Sequence, residues 1–194
     1  MPRPRQYDDA LRTRLLEAAS VALADAGAEG VSLRAVAAAA GTTTAAVYTL
    51  FGGREALLDA VVAEGFARFG RVLDAVEPTD DAARDLLRLG LAYREYALAE
   101  PHFYRAMFGR PAAAGHDALA EPTFRRLEAA TARVVEGEQG KEGVDGAQGA
   151  ARERALELWA LVHGLVSLEL GGHLPGDERE RAERYAAALR HSRP

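Results

Sequence analysis

Trp159 and His163 lie four residues apart, a spacing that stacks both on one face of a helix. With Phe66, Tyr93, Tyr104 and Met107 they have the make-up of a small-molecule site, an aromatic lining with one polar handle. The competing reading is that these side chains are core and that a neighbour satisfies His163. The residues alone leave both open. His163, Glu169 and His173 raise the question of a metal, but the set crosses the Gly171-Gly172 break and shows no orienting partner. No metal site and no cofactor are expected. Asp8-Asp9 and Asp80-Asp81 stand at predicted helix starts, where carboxylates answer free amides. No nucleophile, base and orienting group can be assembled. An enzyme is therefore not expected; a small all-α enzyme working in the Trp159/His163 pocket is kept as the alternative.

A second group carries binding chemistry rather than catalysis. It lies in the stretch from Val31 to Leu58, VSLRAVAAAAGTTTAAVYTLFGGREALL. Ser32 suits a helix N-cap, and Leu33, Val36, Ala37 and Ala40 follow at helical spacing. Gly41 supplies a turn, Thr43 a second cap, and Ala46, Val47 and Leu50 a second helical period. Ala37, Gly41 and Val47 meet the physical demands of a helix-turn-helix: a small residue where two helices approach, a glycine in the turn, an aliphatic lock. The second helix of such a pair enters a DNA major groove. Thr44, Ala45, Ala46 and Thr49 are then the side chains left to face bases, and none carries charge. Threonine hydrogen-bonds several base edges, whereas alanine meets only thymine methyls. Thr43 fits capping at least as well as a base contact.

Tyr48, Phe51, Gly52-Gly53, Arg54-Glu55 and Leu57-Leu58 complete a pattern over roughly Tyr7 to Leu58 that resembles the DNA-binding domain of the TetR family of transcriptional regulators. The resemblance places Tyr48 and Arg54 beside backbone phosphates, with Arg54 opening a helix whose free amides also face the anion. Loss of Arg54 is expected to weaken DNA binding while folding is preserved. Arg34 matches a position that reaches the groove in some family members, where an arginine pairs with guanine. Many members carry a basic residue near Thr44 and a histidine at Thr49, and this chain does not. Direct readout is expected to be thin, with specificity leaning on Arg34, an Arg3 and Arg5 arm, and DNA shape.

The chain has 194 residues, 48% hydrophobic and 27% charged, enough for one or two domains and a sizeable core. Net charge is −5, but the first 54 residues hold six arginines against five acids, so a local binding face is expected rather than a basic domain. There is no cysteine, hence no disulfide framework or thiolate site. Met1-Pro-Arg-Pro-Arg leads into charges rather than an apolar run, and no membrane span is read, so a cytoplasmic protein is expected.

The rest of the chain reads as all-α, about nine helices, with a DNA-binding domain over 1–55 and an effector and dimerisation domain over 56–194. Helix 1 is expected to end at Gly27 and helix 4 to run from Arg54 to about Val76. A seventh helix is expected to start near Pro122, and the five glycines of Gly137 to Gly149 read as a flexible loop. Trp159-x-x-x-His163-Gly164 and the segment Tyr93 to Phe108 resemble one Trp-His-Gly group of TetR-type effector domains. Leu158, Leu161, Val162 and Leu165 make their helix apolar on several sides, so it needs two partners. With Ala182, Tyr185 and Leu189 of the last helix they are the expected homodimer interface. The whole implies a regulator, a repressor on the family pattern, that grips a near-palindromic double-stranded operator and answers to a small apolar effector. A regulator without any ligand is the remaining alternative.

Overall fold

A computed structural model of the chain describes residues 5–109, 116–139 and 144–192; the side chains of 5–8, 116–119, 138, 139 and 144–148 are not described. Among the described residues there are nine helices and no strand: α1 Arg5–Gly30, α2 Leu33–Ala39, α3 Thr44–Phe51, α4 Arg54–Asp74, α5 Ala82–Ala99, α6 Pro101–Phe108, α7 His116–Gln139, α8 Val144–Leu170 and α9 Glu178–His191. The Arg3 arm lies outside the described residues, as does the side chain of Arg5. No described helix is long and apolar enough to cross a membrane.

Three elements depart from the sequence reading. Gly27 does not end α1 but kinks it, at φ 66 and ψ 174, after which helical turns resume to Gly30. Only a glycine takes that φ without steric cost. Pro122 lies inside α7 instead of opening it. A proline removes one helix hydrogen bond, but Ala130, Val134 and Val135 beyond it are buried, and that packing favours continuing the helix. Of the expected glycine-rich loop, 137–139 and 144–149 are helix, since α7 continues to Gln139 and α8 starts at Val144, and 140–143 lie outside the described residues. Glycine weakens a helix by about 1 kcal/mol relative to alanine, which tertiary packing of the adjoining turns overrides.

By packing, the chain divides into two units. The first is 1–68 with 100–116; the second is 69–99 with 117–194. The first unit takes in most of α4 and all of α6, because Phe103 and Ala106 of α6 are buried in one core with Leu15, Leu16, Val36, Val47, Leu57 and Val61. A four-residue cluster in the second unit joins Leu86 of α5, Ala130 and Val134 of α7 and Leu158 of α8.

Buried and half-buried charge ties each unit. In the first, Arg68 donates to Glu64 at 2.9 Å, Glu17 at 2.6 Å and Glu100 at 3.2 Å, and its guanidinium lies 4.2 Å from the Phe103 ring centroid. In the second, Arg94 grips Glu169 through two nitrogens at 2.8 and 2.6 Å, with Arg181 3.4 Å from the same carboxylate. Asp85 accepts from the Thr79 amide at 2.6 Å, the Thr79 hydroxyl at 2.8 Å and Arg133 at 2.9 Å. Those bonds, the Thr79 amide first, outweigh burial and hold its carboxyl down from 3.8 to about 2.

Candidate nucleic-acid interface

The two short helices at the centre of the first unit are fixed at their ends by side chains and turns. Ser32 Oγ accepts from the Ala35 amide at 3.4 Å and Thr43 Oγ1 from the Ala46 amide at 3.4 Å. Between them α2 closes in a Schellman turn: the Gly41 amide donates to Ala38 O at 3.1 Å and the Thr42 amide to Ala37 O at 2.9 Å. Gly41 holds φ 68, the left-handed conformation that turn requires. Val36, Ala37, Ala40 and Val47 are buried, so the small-glycine-aliphatic spacing does lock α3 onto α2.

That locking decides which side chains remain outside. On α2 these are Arg34, Ala35, Ala38 and Ala39; on α3 they are Thr44, Ala45, Tyr48 and Thr49. Tyr48 is 57% exposed, a large ring left in solvent on a helix whose other face is core. Arg34 makes no hydrogen bond or ion pair among the described residues. Thr43 is occupied as the cap, and Ala46 is half-buried. The Thr49 hydroxyl donates to its own helix, to Ala45 O at 2.9 Å.

Arg54, expected beside a backbone phosphate, is engaged within the chain. Its Nε donates to Val31 O at 3.1 Å, one terminal nitrogen to Ala28 O and the other to Glu55 at 2.7 Å. The carbonyls it meets lie where α1 ends and α2 has not begun, so helix ladders do not fully satisfy them. The guanidinium fork supplies the missing donors. Two further arginines hold the same elements: Arg14 donates to Ala40 O at 3.3 Å, and Arg12 lies 5.3 Å from the Phe51 ring centroid. Sequence reading missed these ties.

Residues 15–61 match the model for bacterial regulatory proteins of the tetR family, and residues 86–191 match the tetracyclin repressor-like C-terminal domain, more than half of the chain by itself. The chain belongs to the TetR family of transcriptional regulators. It is 25% identical over 115 residues to the HTH-type transcriptional regulator Rv1816 of Mycobacterium tuberculosis, a stretch covering 58% of this chain and 49% of that protein. The chain thus spans about half the length of the curated relatives it matches. A protein of unknown function from Rhodococcus sp. RHA1 is 31% identical, with 94% of this chain and 93% of that one covered at a TM-score of 0.67. The TetR family regulator PfmR of Thermus thermophilus, 20% identical, shares the fold at a TM-score of 0.71 over 93% of this chain and 97% of that one.

In this TetR-family chain the six side chains expected to line an effector site fall in two groups. Phe66, Tyr104 and Met107 are buried in the first unit, where Phe108 meets Phe66 edge-on at 5.9 Å and Tyr104 at 5.0 Å. Tyr93, Trp159 and His163 belong to the second. There the Tyr93 hydroxyl and His163 Nδ1 are 3.1 Å apart, and the Trp159 ring lies 6.4 Å from His163 and 5.9 Å from Phe124. Burial lowers the His163 pKa from its ordinary value, which favours the neutral ring, whose Nδ1 can accept from the Tyr93 hydroxyl. Among the described residues no three His, Asp or Glu side chains are grouped as a metal would require.

The expected dimer residues also divide. Leu158, Val162, Tyr185 and Leu189 are buried within the chain itself, and the Tyr185 hydroxyl donates to Gly90 O at 2.8 Å. Leu161, Leu165 and Ala182 remain partly open, and Leu168, one turn beyond Leu165 on α8, is 45% exposed.

Proposed function

We propose that this TetR-family regulator binds double-stranded DNA as a homodimer across a near-palindromic operator and represses until a small, largely apolar effector releases it. One observation carries the DNA reading: a capped, core-locked α2–α3 pair leaves Arg34, Thr44, Ala45, Tyr48 and Thr49 outward and uncovered. Arg34 pairs with a base edge and Tyr48 with a phosphate oxygen, while the first-turn amides of α3 and α4 favour the anionic backbone. Leu161, Leu165 and Leu168 recur at helical spacing on α8 and are the face offered to a second copy. Tyr93, Trp159 and His163 read the effector, which needs only different affinities for the DNA-binding and released states.

Selection of genomic fragments with the purified protein tests this. Recovered sites should carry two-fold related half-sites about one helical turn apart, roughly 34 Å. Fragments enriched without such symmetry would leave DNA binding but remove the homodimer operator. Leu165→Glu should give a monomer that has lost operator affinity, because a charge would enter an apolar interface unpaired. One observation favours a regulator without ligand: His163 and Trp159 already have partners inside the chain. A broad thermal-shift screen with no hit would support that second reading.

A further inference from the structure

We infer that α3 reads its operator through methyl groups, so that thymine is the base it selects. This inference rests on the DNA-binding reading and names what that surface recognises. Of the outward side chains of α3, Ala45 offers only a methyl. Thr49 follows it by one turn on the same face, and the Thr49 hydroxyl is turned back onto the carbonyl of Ala45 at 2.9 Å. Its only hydrogen-bond donor is thereby engaged; the oxygen keeps acceptor capacity, and its other branch, the Cγ2 methyl, is the apolar part left to meet a groove. Thr43, the neighbouring hydroxyl, is held as the cap by the Ala46 amide. Ala45 and Thr49 together thus present two methyls, about 5–6 Å apart in Cβ position, as neighbours on one helix face are.

The major groove has one apolar feature, the C5-methyl of thymine. An apolar pair laid against a hydrogen-bonding base edge would leave that edge unsatisfied, which disfavours guanine, cytosine and adenine there. Against a pyrimidine methyl the same pair removes apolar surface from water. At roughly 0.8 kcal/mol per buried methyl-sized group, each such contact is worth about a fourfold change in affinity. Thr44 and Tyr48 are also outward on α3, and their free polar groups suit phosphate or edge contacts; they do not alter what Ala45 and Thr49 present.

The test uses full-length protein and a synthetic duplex enriched from a random library. Each thymine is replaced in turn by deoxyuridine, which deletes the methyl and nothing else. One or two positions in each half-site should lose about fourfold in affinity, and all others should be unchanged. Thr49→Ser keeps the hydroxyl and its bond to Ala45 but deletes the methyl. It should bind the thymine duplex about fourfold more weakly per contact and show no further loss at its deoxyuridine position. Thr49→Val keeps a methyl-bearing branch and should retain the discrimination. Matched melting curves confirm that both variants fold. A duplex that is enriched but indifferent to deoxyuridine at every position would overturn the methyl readout alone. Thr49→Ser and Ala45→Ser variants as sensitive as the unaltered protein would overturn the assignment to this pair. Failure to enrich any duplex would overturn the DNA-binding reading beneath it.

Discussion

In the first unit the side chains facing outward from α2 and α3 are mostly small and uncharged, and the one cation among them, Arg34, has no partner among the described residues. In the second unit three polar side chains singled out from sequence are engaged: His163 with Tyr93, Glu169 with Arg94 and Arg181, Tyr185 with Gly90. The difference separates binding surface from scaffold. A residue set aside for a ligand is held in place by its backbone and left open at its tip, whereas a polar group with several internal partners is part of what keeps the fold. Arg34 and Arg54 show the same contrast within one unit, since the second of them closes on Ala28 O and Val31 O.

The contrast is broken or sharpened by substitution. The largest effect is expected from Glu169→Ala, which leaves Arg94, only 13% exposed in its side chain, without its carboxylate. Removing one member of a buried pair costs roughly 3–5 kcal/mol, read as a lower denaturant midpoint with no change in the operator contacts themselves. Next comes Arg54→Ala, which strips donors from two main-chain carbonyls at about 1–3 kcal/mol. Arg34→Ala should stay within about 0.5 kcal/mol of the parent, as surface changes do. Equal loss of stability from both would erase the distinction drawn between them.

Acid titration probes Asp85 more gently. Its carboxyl is held down from 3.8 to about 2, so the folded chain stays ionised where the unfolded chain takes up a proton. The stabilisation is full above about pH 4 and is lost as pH falls through 2. Asp85→Asn should therefore be less stable than the parent at neutral pH and converge with it at the acid end of that window. A stability gap that did not narrow would point to packing rather than charge.

The smallest effect concerns His163. Its pKa lies below 6.5 through burial, so folding disfavours its protonated form and stability should drop as pH falls below the ordinary imidazole value. His163→Gln should flatten that slope. Trp159 is the single tryptophan, and its emission reports this location alone. If the cluster reads an effector, a ligand that changes DNA affinity shifts that emission over the same concentrations, because coupling between sites is reciprocal. Unchanged emission would leave His163 as scaffold only.

The helix-turn-helix was legible because its constraints are local: Ser32, Gly41 and Thr43 act within a few residues of themselves, and each does what its chemistry suggests. The all-α class, with nine helices among the described residues, followed from periodicity in the same way. What depends on distant partners was not legible. Phe103 and Ala106 join a core built by residues far earlier in the chain, a packing that no local pattern announces. Arg54 read as a phosphate contact opening a helix, and its bonds to the carbonyls of Ala28 and Val31 were not seen, because such long-range main-chain acceptors leave no mark in a sequence. On α8, periodicity correctly gave an apolar helix but not which stripe the chain covers itself; Leu158, Val162 and Val166 face inward and Leu161, Leu165 and Leu168 are more open.

The central claim is that the open face of α2 and α3 is the DNA-binding surface. Its most direct test is affinity for a fragment recovered by selection, measured by fluorescence anisotropy for the parent, Arg34→Ala and Tyr48→Ala, with a melting curve for each. Losing a base-edge pair worth ~1–3 kcal/mol predicts a loss of roughly fivefold to a hundredfold for Arg34→Ala. Tyr48→Ala should weaken binding to all duplexes alike, and both melting curves should overlay the parent. Parent-like affinity in both variants, with folding intact, would contradict the claim and move the interface elsewhere on the molecule.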